Sequence, residues 1–340
     1  MKKKNARLWP VLAGLLLGLL AARAAAETPM RIVVSVPGPR NISYLPIDLI
    51  RKIGADRAEG AEVHLRQVGG GAVALQEMMM RNSDFTVAGL PAAMSLRANG
   101  VKVATLAAVN DQPLFVLMVR SDLRGKVKRV ADLKGRTVGV NTSSLNSKTT
   151  SQQLAELVLR NAGVPMDGVR IVAAGQSWDE QSSLLKSRAA DAIMGDEPFA
   201  SRLRDEGAVF FLANLADPRT TASIPGAGFL HAALEAREDL VDQEPKKVER
   251  MVRILRRTLE WMARHTPEEI VARLEIGDPV ERKYLLANLK RHPRLYSPDG
   301  RFSTRQLMET DHFFRATSPD AAKGFSLEGM VVDTWAGRKP

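Results

Sequence analysis

Short apolar, β-branched runs alternate along the chain with stretches whose apolar positions recur every three to four residues. That is the pattern of strands alternating with helices. Arg31–Val36 reads as a strand, broken by Pro37-Gly38-Pro39-Arg40-Asn41. Leu45–Ile53 then gives a short helix closed by Gly54. Glu62–Val68 alternates like a strand and runs into Gly69-Gly70-Gly71, which opens a helix with Val73, Leu75 and Met79 turned inward. Val103–Val109 and Leu114–Val119 are two further apolar strands, separated by Asn110-Asp111-Gln112-Pro113.

The series then begins again. Thr137–Asn141 is a strand, Thr142–Ser147 a polar loop, and Thr149–Ala162 a helix with Ser147 as its expected N-cap. Val169–Ala173 is a strand, the Gly175–Asp179 loop follows, and Glu180–Ser187 is a helix. One stretch proves the recurrence. Asp84–Gly100 returns 107 positions later as Asp191–Gly207, with six of seventeen positions identical. Each copy reads as a buried strand, a tight loop carrying Pro, and a helix stopped by Gly. A single repeat at this distance is no solenoid, whose units recur every 20–50 residues. It predicts two similar α/β lobes, the first formed by residues 27–120 and 218–340 and the second, inserted, by 121–217. Two chain crossings, near Arg120 and Asp217, would form the hinge. The tail predicts helices, including a long one from Pro245 to near His265 and two opened by the capping boxes Thr266–Glu269 and Ser303–Gln306, all padding the first lobe.

Composition narrows the setting. Lys2, Lys3, Lys4 and Arg7 precede an apolar run from Leu8 to Ala22 and then Ala24-Ala25-Ala26, the three parts of a secretory signal peptide with cleavage before Glu27. The run is shorter than the ~20 apolar residues that span a bilayer. The chain has no cysteine, so a lipoprotein signal, disulfides and thiolate metal sites are all ruled out. These features predict an exported protein of a Gram-negative periplasm. Net charge is +11, with five of the positive charges before Glu27, leaving +6. The basic stretch Arg250–Arg264 reads either as a nucleic-acid or membrane surface or as the solvated face of a helix that buries Met251, Ile254, Leu255, Leu259 and Met262. An exported protein favours the second, and no nucleic-acid partner is expected.

Ligands of open α/β sheets bind beyond the carboxyl ends of the strands. There the chain places Gly89–Pro91 and Asp196–Pro198. The Gly69–Gly71 run lacks the P-loop and dinucleotide patterns. It is either an anion- or carbonyl-binding turn or a turn chosen for packing, and Thr142-Ser143-Ser144 holds the equivalent place in the other lobe. Trp178 and Tyr44 could stack on a ligand or simply be covered loop aromatics. Glu197 could accept from a ligand or cap the next helix. Catalysis finds little support: Ser183–Lys186 matches S-x-x-K without its partner motifs, and the five histidines show no metal spacing. No cofactor or metal is expected.

Val68–Met94, Val130–Ser144 and Leu184–Leu203 carry a wider resemblance. In these segments the chain resembles the periplasmic substrate-binding proteins of ABC importers in the nitrate/sulfonate/taurine and NMT1/THI5-like group. The resemblance implies a type II periplasmic-binding fold, two α/β lobes around a ligand cleft, a monomer, and delivery of a small molecule to a permease with its ATPase. It implies ligand contacts on the loops at Pro37–Tyr44, Gly70-Gly71, Gly89–Pro91, Thr142–Ser144 and Asp196–Pro198. With Asn110 and the loop aromatic Trp178 added to these loops, the candidate contacts are Asn41, Tyr44, Gly70, Gly71, Leu90, Pro91, Asn110, Thr142, Ser143, Ser144, Trp178, Asp196 and Glu197. Members of the group often carry an aromatic where this chain has Asp196, and the cysteine-rich motif of the pyrimidine synthases is absent. The extra acid suits an organic ligand with an anionic and a cationic or polar end, sulfonate-, carboxylate- or pyrimidine-like. The alternatives are a secreted enzyme on the same scaffold and a ligand sensor for a membrane receptor.

Overall fold

Two five-stranded mixed sheets carry the fold in the computed structural model, which describes residues 28–222 and 224–340. The expected signal peptide lies outside the described residues. The strands are β1 (Met30–Pro37), β2 (Ala61–Val68), β3 (Phe85–Gly89), β4 (Val103–Asn110), β5 (Phe115–Arg120), β6 (Thr137–Val140), β7 (Arg170–Ala173), β8 (Ala192–Asp196), β9 (Val209–Asn214) and β10 (Ala232–Arg237). The helices used below are α1 (Leu45–Lys52), α2 (Gly71–Met79), α3 (Leu90–Ala98), α4 (Thr150–Asn161), α5 (Trp178–Lys186), α6 (Phe199–Asp205), α7 (Pro245–Ala263), α8 (Pro267–Leu274), α9 (Pro279–Arg291) and α10 (Thr304–Thr317).

The first sheet has the order β2-β1-β3-β10-β4 and the second β7-β6-β8-β5-β9. In each, three parallel strands are followed by one antiparallel strand supplied from the other half of the chain: β10 for the first sheet, β5 for the second. The strand at 115–120, expected in the first lobe, therefore belongs to the second sheet. The chain crosses at Asp111–Leu114, ahead of the expected position near Arg120. Both strands flanking that crossing, VATLAAVN and FVLMVR, are buried along their whole length. A strand buried on both faces carries no alternation to say which sheet it joins.

The repeat has a structural cause. The Asp84 carboxylate accepts from the Val33 amide at 2.8 Å while the Asp84 amide donates to the Val33 carbonyl at 2.9 Å. Asp191 repeats both bonds with Thr137, at 3.0 and 2.9 Å. Each Asp thus ties the start of one parallel strand to its neighbour. Gly100 and Gly207 close the two helices at φ 84° and 75°, a left-handed conformation that glycine enters without a Cβ penalty.

Each sheet is covered on both faces. The first packs Ile32, Val34 and Phe85 under α7 and, on the other side, Ala88 and Ala233 under α2, α3 and α10. The second packs Val138 and Val140 under α4, and Met118 and Ile193 under α5 and α6. The tail does more than pad the first lobe. On α10, Phe314 lies in the first-lobe core, whereas Phe313 joins the second-lobe core and stacks on Phe229 with centroids 4.0 Å apart. Thr317 also donates to Gln153 on α4 at 3.1 Å. Adjacent residues on a helix point about 100° apart, so one helix wedged between lobes serves both.

Local expectations changed in three places. Thr149, not Ser147, caps α4, accepting from the Gln152 amide at 3.2 Å. A capping box formed by Ser177 and Glu180 starts α5 at Trp178, inside the stretch expected as loop. The Thr266–Glu269 box forms, whereas at Ser303 only the N-cap bond forms, because the Gln306 amide turns to the Asp111 carbonyl.

Candidate functional site

The carboxyl ends of β3 and β8 meet across the gap between the sheets and enclose a cavity of about 20 Å³, room for about one water molecule. It is lined from the first lobe by Tyr44, Gly71, Gly89 and Ala92, and from the second by Phe115, Asn141, Thr149, Thr150, Ser151, Gln176 and Asp196. Larger hollows lie on the outer surface, one of about 670 Å³ around Arg40, Asp48, Arg51 and Lys52. There Arg40 and Lys52 are already ion-paired with Glu281 and Glu275. The small central cavity is the chemically unsatisfied one. Oδ1 of Asp196 and Oγ1 of Thr150, both buried and both on its wall, have no hydrogen-bond partner. Buried polar atoms are normally paired, so two orphans on one wall that both lobes build make this cavity the candidate site.

Two helices begin at this wall. Gly71 opens α2 behind Gly70, and Thr150 opens α4 behind its cap. The first amides of a helix have no acceptor within it and carry the positive end of its dipole. Asp196 ends β8 directly opposite Phe115 of β5. Its carboxyl is pushed up to about 7, chiefly by burial and further by Glu197, with the amides of Asn41 and Asn141 pulling the other way. Among the described residues, no lysine or arginine lines the cavity. Burial also raises the Tyr44 phenol, and Asp196 and Glu235 add to the shift.

Behind Tyr44 and Phe115 sits His231, edge-on to Phe115 with centroids 5.1 Å apart. Both of its ring nitrogens lack a hydrogen-bond partner, and burial takes its pKa down to about 3, so it is neutral. Glu235 on β10 is likewise buried without a partner on either oxygen, and burial moves its carboxyl well above the ordinary range. Among the described residues, no group of His, Asp or Glu is arranged to hold a metal ion.

The lobes touch across the gap. The Ser143 amide donates to the Gly69 carbonyl at 2.7 Å, Asn41 donates to Gln176 at 3.2 Å, and Gln153 donates to the Pro91 carbonyl at 3.0 Å. The counterpart of Gly69–Gly71 in the second lobe is the loop before α5, so Thr142–Ser144 faces the glycine run rather than repeating it. A Cβ on Gly70 would lie 2.9 Å from Oγ1 of Thr142, and φ of 141° there further requires glycine.

Of the expected contacts, Tyr44, Gly71 and Asp196 line the cavity. Asn41, Gly70, Pro91 and Ser143 serve the contact between lobes, and Thr142 and Ser144 bond each other within the facing loop. Leu90 is core, and Asn110 braces the crossing through Gln112 and Ser43. Glu197 takes the capping role: both carboxylate oxygens accept from Ser201, its amide at 3.0 Å and its hydroxyl at 2.7 Å. Trp178 lies away from the cavity, its ring covered by the Arg202 guanidinium at 3.7 Å. Sequence reasoning missed Ala92, Phe115, Asn141, Thr149, Thr150, Ser151 and Gln176 as lining residues, and it named Gly89 only within the loop Gly89–Pro91. The signal that was present is the unbroken hydroxyl run Thr149-Thr150-Ser151 across a helix start.

Comparison with known proteins agrees with this architecture. A structure from Bordetella bronchiseptica RB50 superimposes with a TM-score of 0.80 at 21% identity, covering 92% of this chain and 96% of that one. The alkanesulfonate-binding protein of Xanthomonas axonopodis pv. citri, bound to MOPS, gives 0.68 at 15% identity over 92% and 100%. The desulfurization enzyme DszB gives 0.60 at 15% identity over 90% and 97%. The fold is that of periplasmic binding proteins, and it houses binding proteins and at least one enzyme. No curated protein matches the chain by sequence. The NMT1/THI5-like family profile matches residues 57–270, more than half of the chain, and the chain belongs to the NMT1/THI5-like family.

Proposed function

We propose that this protein is the exported solute-binding component of an ABC importer, which holds a small organic molecule between its lobes and presents the closed form to a permease and its ATPase. The observation that carries the reading is the central cavity, with buried unpartnered groups on a wall built from both lobes. At about 20 Å³ the cavity cannot admit an organic ligand unless the lobes part. Contacts made by both lobes exist only when they close, so a ligand favours closure by its differential affinity for that state.

A catalytic reading is weaker. It would need a nucleophile hydrogen-bonded to a base, and His231, buried behind Tyr44 and Phe115, has no partner on either nitrogen. The test is a thermal-shift and small-angle scattering screen of the protein lacking residues 1–26 against sulfonates, carboxylates, amino acids, nitrate and pyrimidines. A ligand at 100 times its Kd should add about 2.7 kcal/mol and shrink the radius of gyration. Product formation from any compound in the set would replace binding with catalysis.

A further inference from the structure

The charge balance of the cleft limits what it can hold. Its wall contains a carboxyl, Asp196, whose Oδ1 is buried and unpartnered, and among the described residues it contains no cationic side chain. The titratable groups packed around that carboxyl are Tyr44 ahead of α1, Glu197 beside it, Glu235 on β10 and His231 behind the rings. None of them is a cation at neutral pH. A simple anion placed here would meet an acid, with helix starts but no cationic side chain among the described lining residues to offset it. A protonated nitrogen would be received by Asp196, and Tyr44 and Phe115 line the same space. The second orphan, Oγ1 of Thr150, stands at the first turn of α4, a 12-residue helix whose free amides favour an oxyanion.

We propose that the ligand is a small zwitterion, its ammonium group bound by Oδ1 of Asp196 and its oxyanion end by Thr150 and the first turn of α4. This rests on the cleft being the ligand site. Binding of the ammonium group requires ionised Asp196. With that carboxyl near 7 in the free protein, affinity falls about tenfold per unit as pH drops below 7, whereas an anion without a cationic group would bind more tightly as pH drops.

The experiment is calorimetric titration with two- to six-carbon amino carboxylates and amino sulfonates, each beside its des-amino and hydroxy counterparts, plus nitrate and sulfate, between pH 5.5 and 8. Scattering is recorded on the same samples, and Asp196→Asn and Thr150→Val are titrated in parallel with circular dichroism to verify folding. Expected are an amino compound that binds and closes the lobes, a loss of about 100-fold for its des-amino counterpart, a comparable loss in Asp196→Asn, a smaller one in Thr150→Val, and weakening at low pH. Equal or tighter binding of a des-amino anion, or unchanged affinity in Asp196→Asn, overturns the ammonium assignment while leaving the two-lobed receptor intact. Failure of every compound, with or without nitrogen, to bind or compact the protein overturns both.

Discussion

Gly69 offers a way to perturb closure without touching either lobe. A Cβ built there falls 2.7 Å from the Ser143 Cβ and well inside contact with the Ser143 hydroxyl, and meets no other atom within 4 Å. The backbone at Gly69 is not left-handed, so alanine is accepted by the first lobe itself. The hydroxyl can rotate away, but carbon atoms pack at about 3.5–4.0 Å, so the two Cβ atoms must move apart by roughly 1 Å. That stretches the 2.7 Å bond from the Ser143 amide to the Gly69 carbonyl past useful length. Losing that bond costs about 1 kcal/mol and residual overpacking another ~1–3. Gly69→Ala should therefore shift the closed-to-open ratio by about 2 kcal/mol, some 30-fold, and weaken the best ligand of the panel by about that factor. The melting temperature without ligand should hold or rise slightly, because alanine narrows the unfolded ensemble. Adding Ser143→Gly should restore affinity to within about threefold of Ser143→Gly alone, since the clash is pairwise. Calorimetry and scattering read the first effect, and differential scanning calorimetry the second. Unchanged affinity in Gly69→Ala would refute the view that ligand binding brings these two loops together. A ligand-free melting temperature lowered by several degrees would show instead that their contact is part of the folded core.

Three further outcomes follow from the structure. The folded pKa of Glu235 lies above its unfolded value of ~4.3, so its contribution to stability is complete below that value and is lost as pH rises towards the folded one, at about 1.36 kcal/mol per unit. Glu235→Gln should flatten the fall of melting temperature between pH 5 and 8, and an unchanged slope would count against a buried, protonated carboxyl. Trp178→Ala and Glu197→Ala should each lower stability, by about 1–3 and ~1 kcal/mol, while leaving ligand affinity within about threefold, because the first loses its Arg202 contact and the second the cap of α6; urea unfolding and calorimetry separate the two readouts. Phe313→Ala, which removes the ring stacked on Phe229, should cost about 3–5 kcal/mol in urea unfolding and loosen α10 from the second lobe, visible as faster amide exchange on both α10 and α4.

Sequence alone determined the alternation of strands and helices and, through Asp84 and Asp191, the doubling of one α/β unit. These are local matters: periodicity, a Gly stop, and an Asp that bonds the strand beside it. The same local logic picked out strand ends and helix starts, and three of the residues it named there, Tyr44, Gly71 and Asp196, lie on the cavity wall. Tertiary structure decided the rest. Whether Phe115–Arg120 joins the first or the second sheet depends on long-range pairing with β8 and β9, and a strand apolar on both faces does not encode that choice. Glu197 and Asp196 are adjacent acids in one loop, yet one caps α6 and the other ends β8 on the cavity wall, a distinction set by where each side chain points. Trp178 had the composition of a ligand contact and became a packing residue once the Ser177–Glu180 box pulled it into α5, beside Arg202. The wall formed by Asn141, Thr149, Thr150, Ser151 and Gln176 arises only when two helix starts and two strand ends from distant parts of the chain converge. Burial, and with it the shifted carboxyl of Asp196, exists only after that convergence, because desolvation belongs to the assembled cleft and to no single segment of the chain.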